Sequence, residues 1–134
     1  MAASVDNLHV ELVAADRTVW SGEATMVIAR TVEGDLGVLR GHTPVLSALT
    51  EAVVEIQVAG TDDVLFAAVD AGFISVAKDR VSILSEHIEL GQEVHVEKAQ
   101  ADLEEARLLI GKNDDAEKRV RAAEARLRAA EKVS

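Results

Sequence analysis

Residues 5–90 read as β throughout, opening on apolar and polar positions that alternate with a period of two. Leu8, Val10 and Leu12 fall on one side and His9 and Glu11 on the other, the pattern of a half-buried strand. Ala15-Asp16-Arg17 reads as a turn, and Thr18-Val19-Trp20 begins the next strand. Ala24 to Arg30 is another, rich in β-branched residues. Leu36–Leu39, Val45–Leu49, Val53–Val58, Val64–Val69, Gly72–Ala77 and Arg80–Ser85 follow, with turn signals at Ala59-Gly-Thr-Asp-Asp63 and Lys78-Asp79. These make about nine short strands at the spacing of an antiparallel sandwich or barrel. No helical period interrupts them.

At Leu90-Gly91 the period changes. Val96, Ala99, Leu103, Ala106 and Ile110 step by three and four, a helical seam. Gly111-Lys-Asn-Asp-Asp115 stops this helix, with Gly111 as its C-terminal cap. Asp114 and Glu117 have the spacing of a capping box for a second helix, whose seam is Ala116, Val120, Ala123, Leu127 and Ala130. Glu117–Arg121 and Glu124–Arg128 are i,i+4 pairs in the favourable order. The expected architecture is an antiparallel β-sandwich over residues 1–90, followed by an antiparallel α-helical hairpin over residues 91–134. The second seam is mostly alanine, which buries little area. The hairpin should therefore dock weakly and move between states. The plainer reading is a permanently docked helical cap.

The stretch Gly34-Asp-Leu-Gly-Val-Leu-Arg-Gly-His-Thr-Pro-Val-Leu-Ser-Ala-Leu49 holds three of the eight glycines and the only proline. It reads as two strands joined by a tight turn. Gly37 and Gly41 are suited to positive φ or a close approach, and Pro44 to a strand start or edge.

Composition narrows the chemistry. With 134 residues, 49% of them hydrophobic, the chain can build a core, mostly from Val, Leu, Ile and Ala. It has no cysteine, so no disulfide framework, thiolate metal site or thiol nucleophile. The run Val64–Val69 is the longest uninterrupted apolar stretch and is far too short to cross a bilayer. Met1 to Asp6 shows neither the basic nor the apolar region of a signal peptide. The net charge of −10 lies wholly in residues 1–96, with five basic and fifteen acidic groups; residues 97–134 carry nine of each. Nucleic acid is not an expected partner.

No catalytic constellation emerges. His9, His42, His87 and His95 have no metal-ligand spacing. His42, in the glycine turn, is the one worth testing, although a turn histidine bonded to backbone is the more ordinary role. The glycines of the stretch lack the Gly-Lys-Ser/Thr ending of a phosphate loop, and no helix follows them. Trp20 reads as core or a sheet-edge cover. Lys118, Arg119, Arg121, Arg126, Arg128 and Lys132 give the second helix a basic character that suits either a solvated face or an acidic partner.

These pieces together resemble the ε subunit of the bacterial F-type ATP synthase. The likeness is carried by Glu33-Gly-Asp-Leu-Gly-Val-Leu-Arg-Gly-His-Thr-Pro-Val-Leu46, Asp70-Ala-Gly-Phe-Ile-Ser-Val-Ala77 and Val81-Ser-Ile-Leu-Ser-Glu86, in order along the chain. It implies a non-catalytic rotor subunit of the central stalk that couples proton translocation to ATP synthesis. Its sandwich would meet the γ subunit and the c-ring through Glu33, Asp35, His42 and Ser47. An extended hairpin would inhibit hydrolysis by setting Arg119, Arg121, Arg126 and Arg128 against the catalytic α/β subunits. The protein would lie peripherally on the cytoplasmic face of the cell membrane.

Two departures qualify the likeness. Arg40 stands where the family usually has proline. The nucleotide motif of some members begins the first helix, and here reads Val94-His95-Val96-Glu97-Lys98-Ala99, with His95 for its acid and Lys98 for its arginine. Lysine lacks the planar fork of arginine. Glu89, Lys98 and Arg126 are the remaining nucleotide-site candidates, for weak regulatory ATP at most; no cofactor is required. The competing reading is a free-standing sandwich that binds a ligand or peptide under a fixed helical cap.

Overall fold

A computed structural model of the chain describes residues 7–133. Residues 5 and 6, the start of the expected β region, and the Met1 to Asp6 stretch lie outside the described residues. Nine strands are followed by a 3-10 turn at Gly91–Glu93 and two helices, α1 (Val96–Leu108) and α2 (Ala116–Val133). The strands are β1 (Leu8–Ala14), β2 (Thr18–Thr31), β3 (Gly34–Leu39), β4 (Val45–Leu49), β5 (Ala52–Val58), β6 (Val64–Val69), β7 (Gly72–Ala77), β8 (Arg80–Ser85) and β9 (Ile88–Leu90).

The segments Thr18–Trp20 and Ala24–Arg30, expected as separate strands, are one strand of 14 residues. Its first half pairs with β1, from Trp20 opposite Leu12 to Ala24 opposite Leu8. Its second half pairs with β3 on one side and β5 on the other. A register shift between Ala24 and Met26 marks the change. A bulge bends a strand and raises its twist, so β2 passes from one layer of the sandwich to the other. Gly22 lies on this path beneath the indole of Trp20, where a Cβ would stand 2.7 Å from the ring. Trp20 thereby packs against the edge of the core as a cover.

One layer runs β3-β2-β5-β6-β9 and the other β4-β7-β8-β1. The pairs are antiparallel except β1 with β8, which is parallel. The sandwich is antiparallel as expected apart from that pair, which strict alternation cannot distinguish because both ladders share the period of two. The core between the layers is aliphatic, led by Leu8, Leu12, Ile56, Ile74 and Ile83, all fully buried. The three-residue β9 gave no signal in the sequence; it lines up on β6, from Ala67 opposite Leu90 to Val69 opposite Ile88.

Helix α2, not α1, lies on the sandwich. Ala125 and Ala129 pack on Ala68, Val53 and Phe66 of the outer face of β5 and β6. Backbone approach is close: a Cβ on Gly91 would strike the carbonyl oxygen of Ala129. Helix α1 packs on α2 through Ala99, Leu103 and Ala106, which are buried. The ends of its expected seam, Val96 and Ile110, are exposed. Helix α1 stops at Leu108, with Leu109 as its cap residue; Gly111 takes a φ of 85° in the turn beyond. Helix α2 starts after Asp115, one residue too late for the expected Asp114–Glu117 box. Its entry is tied instead by Asn113, whose Oδ1 accepts the Asp115 N–H at 2.8 Å.

Candidate functional site

The candidate residues and exposed apolar side chains fall on three surfaces: the docking seam of α2, the Gly34–Leu49 stretch, and the open face of the second layer.

At the seam, the acids come from three places remote in sequence. Glu51 lies between β4 and β5, Asp70 between β6 and β7, and Glu89 on β9. Arg121 Nε donates to Glu51 Oε1 at 3.0 Å. Arg126 Nε donates to Glu89 Oε1 at 2.8 Å, and its Nη2 reaches Asp70 Oδ1 at 3.5 Å. Glu51 keeps only 6% of its side chain exposed, so Arg121 compensates a buried carboxylate. Burial pushes the Asp70 carboxyl above its ordinary 3.8, against the lowering effect of Arg126 and His87. The expected i,i+4 pairs do not form. Arg121 leaves Glu117 for Glu51, and Glu124 faces Arg107 of α1 at 3.7 Å. A pair along one exposed helix contributes only a few tenths of a kcal/mol, so partners across the seam outcompete it.

The four arginines expected to meet a catalytic subunit are therefore largely engaged within the chain. Arg119 bonds Glu105 of α1 at 3.2 Å, and Arg121 and Arg126 hold the sandwich. Arg128 is exposed and lines a groove with Lys132, Arg30 and Asp35. Lys132 also sits 5.8 Å above the Phe66 ring.

The nucleotide-site candidates Glu89, Lys98 and Arg126 do come together, in a cavity of about 370 Å³ where β9, α1 and α2 meet. His87, Val94, His95, Ala99 and Asp102 complete its lining. Its cations are already spoken for: Lys98 bonds Asp102 at 2.9 Å and Arg126 bonds Glu89. Two carboxylates face the space beside two cations, so the cavity offers a triphosphate little net positive charge.

The Gly34–Leu49 stretch does not form a paired hairpin. Strand β3 pairs with β2 and β4 with β7, so the stretch crosses between the layers. Gly41 takes a φ of 83°, whereas Gly37 needs neither positive φ nor a close neighbour. Pro44 immediately precedes β4, as a residue without an N–H should. Arg40, in place of the family's proline, stands 3.9 Å from Asp79, and the Gly41 N–H donates to Asp79 Oδ1 at 2.6 Å. Thus the Lys78-Asp79 turn steadies the loop that proline would have stiffened.

The rotor-interface candidates separate. Glu33 and Asp35 are exposed at the β2–β3 turn, with Asp35 bonded to Arg30 at 3.0 Å. His42 lies beyond the opposite end of β3, and its Nδ1 is 2.6 Å from its neighbour's carbonyl, that of Thr43. Ser47 sits opposite Ile74 on the core-facing side of β4 and is half-buried, so it cannot share a surface with Leu46 and Ala48.

The open face was not read from the sequence. Opposed residues in the ladders share a face, which places Leu46, Ala48, Phe73, Leu84 and Val13 together outside β4-β7-β8-β1. Phe73 is 55% and Leu46 74% exposed. Helix α2 covers the other layer, and no element of the described chain covers this one. Gly72 is needed at its margin, since a Cβ there would strike the Leu84 carbonyl oxygen.

The sandwich matches the model of the ATP synthase delta/epsilon chain β-sandwich domain over residues 7–91. The chain belongs to the ATP synthase delta/epsilon family. It is 50% identical over 122 residues to the ATP synthase epsilon chain of Streptomyces griseus, covering 91% of this chain and 94% of that one. The epsilon chain of Rhodococcus jostii is 43% identical over 126 residues, covering 94% and 98%. Among solved structures, a chain of the Euglena gracilis mitochondrial ATP synthase (OSCP/F1/c-ring) superposes with a TM-score of 0.79 at 25% identity, covering 93% of this chain and 81% of its own. A chain of the Tetrahymena thermophila mitochondrial central stalk and c-ring shares the fold, with a TM-score of 0.54 at 13% identity, covering 94% and 95%. The family's chains are subunits of the synthase and not its catalytic subunit. Among the described residues of this member, no helix is long and apolar enough to cross a membrane.

Proposed function

We propose that this chain is a non-catalytic rotor subunit of an F-type ATP synthase, coupling proton translocation to ATP synthesis and restraining ATP hydrolysis through its helical hairpin. Its partners are the γ subunit, the c-ring and the α/β catalytic subunits, at the cytoplasmic face of a bacterial cell membrane. The sandwich of residues 1–90 supplies the rotor contacts and residues 91–134 the regulation. The observation that carries this reading is the seam. Arg121 and Arg126 hold buried or half-buried acids of the sandwich, over an apolar contact made mostly of alanine. The same arginines are then the currency of two alternatives, one inside the chain and one on a partner. Rotor contact rests on Glu33, Asp35 and His42 with the open apolar face; Ser47 is better placed to support β4.

ATP binds the His87–Arg126 cavity weakly in this proposal, because Lys98 and Arg126 must first give up Asp102 and Glu89. Equilibrium dialysis of the whole chain against ATP would show millimolar binding; micromolar binding would overturn that part.

The experiment for the regulatory role is ATP hydrolysis by the assembled catalytic complex carrying full-length variants. Glu89→Ala loosens docking without touching the helix, so turnover should fall. Reversing Arg119, Arg121, Arg126 and Arg128 together removes both contacts, so turnover should rise above wild type. Equal turnover for all three would exclude an inhibitory hairpin and leave rotor coupling alone.

A further inference from the structure

Arg121, Arg128 and Lys132 follow one another at steps of seven and four, so they form one stripe along α2. Arg121 ends on Glu51. Arg128 and Lys132 line instead a groove of about 200 Å³ between α2 and the outer face of β2 and β5, which Arg30 of β2 also lines. Among the described residues neither Arg128 nor Lys132 has a hydrogen bond or an ion pair, and Lys132 meets only the Phe66 ring. Like charges one helical turn apart repel, and Arg30 adds a third cation to the same groove. Its two carboxylates do not cancel this. Asp35 is bonded to Arg30 at 3.0 Å. Glu55, opposite Ile28 on β2 and Phe66 on β6, is half-buried in the sheet floor. Three cations against two acids leave one positive charge here, in a chain whose net charge is −10. We propose that this groove is a binding site for a phosphate-class oxyanion, held by Arg128 and Lys132 of α2 and by Arg30 of β2.

The donors select that chemistry. Arg30 gives only its Nε to Asp35, so its two terminal nitrogens remain for a ligand. Together with the fork of Arg128 and the ammonium of Lys132, they offer more donors than one carboxylate can use, and they suit the several oxygens of a phosphate group. Ile28 and Val53 put apolar side chains in the floor, which strengthens the charge interactions above it. Size sets the limit. The groove is smaller than the about 300 Å³ at which pockets for whole drug-sized molecules begin. It therefore takes inorganic phosphate, or the phosphate head of a larger molecule whose remainder stays outside. Inorganic phosphate and the phosphomonoester headgroup of an anionic lipid share this chemistry. None of the groove's residues lines the cavity at His87 and Arg126, so the two sites are separate.

The test titrates the full chain with inorganic phosphate, at an ionic strength held constant with chloride, and follows amide shifts across residues 28–35 and 128–132. In parallel the chain is sedimented with phosphatidylcholine vesicles, with and without phosphatidic acid. Binding of free phosphate identifies the soluble source. Sedimentation with phosphatidic acid vesicles and no binding of free phosphate identifies the headgroup. A strongly acidic chain is repelled by an anionic surface unless a local site holds it, so general charge attraction does not produce that result. In whichever arm binds, Arg128→Gln should weaken binding about tenfold and Lys132→Gln about fivefold; both side chains are exposed, so the fold survives the change. Glu55→Gln should tighten binding about threefold, because it removes a competing carboxylate. Arg119→Gln, outside the groove, should bind as wild type. Binding of neither phosphate nor vesicles overturns the proposal. So does binding that Arg128→Gln and Lys132→Gln leave unchanged, or that Arg119→Gln weakens as much as they do.

Discussion

Arg126 donates from Nε to Oε1 of Glu89 across 2.8 Å, tying the middle of the second helix to the last strand of the sandwich. Asp70 lies 3.5 Å from the same guanidinium. The alanines around it bury little area, so this polar contact carries a large share of the docking.

Replacing Arg126 with Ala should therefore loosen the hairpin selectively. A charge-assisted hydrogen bond contributes about 1.5–3 kcal/mol, reduced here to about 1–2 by partial exposure. Amide exchange in residues 116–133 should quicken by about tenfold, while β1, β7 and β8 keep wild-type protection. Uniform loss of protection would mean that hairpin and sandwich unfold as one unit.

Gly91→Ala attacks the same seam by sterics. The added methyl meets the Ala129 carbonyl, and backbone cannot yield as a flexible side chain would. Overpacking of this kind costs about 1–3 kcal/mol. The expected result is a displaced α2, seen as greater proteolysis beyond residue 91 with sandwich stability within about 1 kcal/mol of wild type.

Asp70 gives the seam a pH dependence of definite sign. Its carboxyl is raised in the folded chain, chiefly by burial. The folded state therefore holds its proton more readily than the unfolded state. This favours folding at low pH and is lost as pH rises from 3.8 through the higher folded value. Wild type should gain stability relative to Asp70→Asn as pH falls from 7 toward 4, measured by denaturant melts at each pH. A constant difference between the two proteins would show that Asp70 is not the titrating group.

The β7–β8 turn is strained. Lys78 and Asp79 take φ of 51° and 61°, as a two-residue hairpin turn of the twisted kind requires. A left-handed residue with a Cβ costs about 1–2 kcal/mol, and glycine returns part of that as chain entropy. Lys78→Gly should stabilise the protein by about 0.5–1 kcal/mol in thermal melts. Asp79→Gly should not, because Asp79 also accepts the Gly41 N–H.

What the sequence determined by itself was local. The alternation of Leu8, Val10 and Leu12 makes a strand wherever the chain folds, because only one face is buried. The change of period after Leu90 and the turn at Lys78-Asp79 were legible as local signals, as was the likeness carried by the Gly34–Leu49 stretch; of the second helix's expected seam, Ala116, Ala123 and Ala130 are buried, while Val120 and Leu127 are only half-buried. So were the cavity candidates Glu89, Lys98 and Arg126, although only through that likeness.

What the tertiary structure decided was partnership across distance. Period-two alternation is blind to parallel against antiparallel pairing, so β1 with β8 was beyond it. Arg121 had a carboxylate four residues away and another, Glu51, seventy residues away. It takes the distant one because that carboxylate is buried and cannot be left uncompensated. Ser47 looked like a surface polar residue until the register set it opposite Ile74. Phe73 drew no reading of its own from the sequence; the same register sets it outside, on a face that no element of the described chain covers.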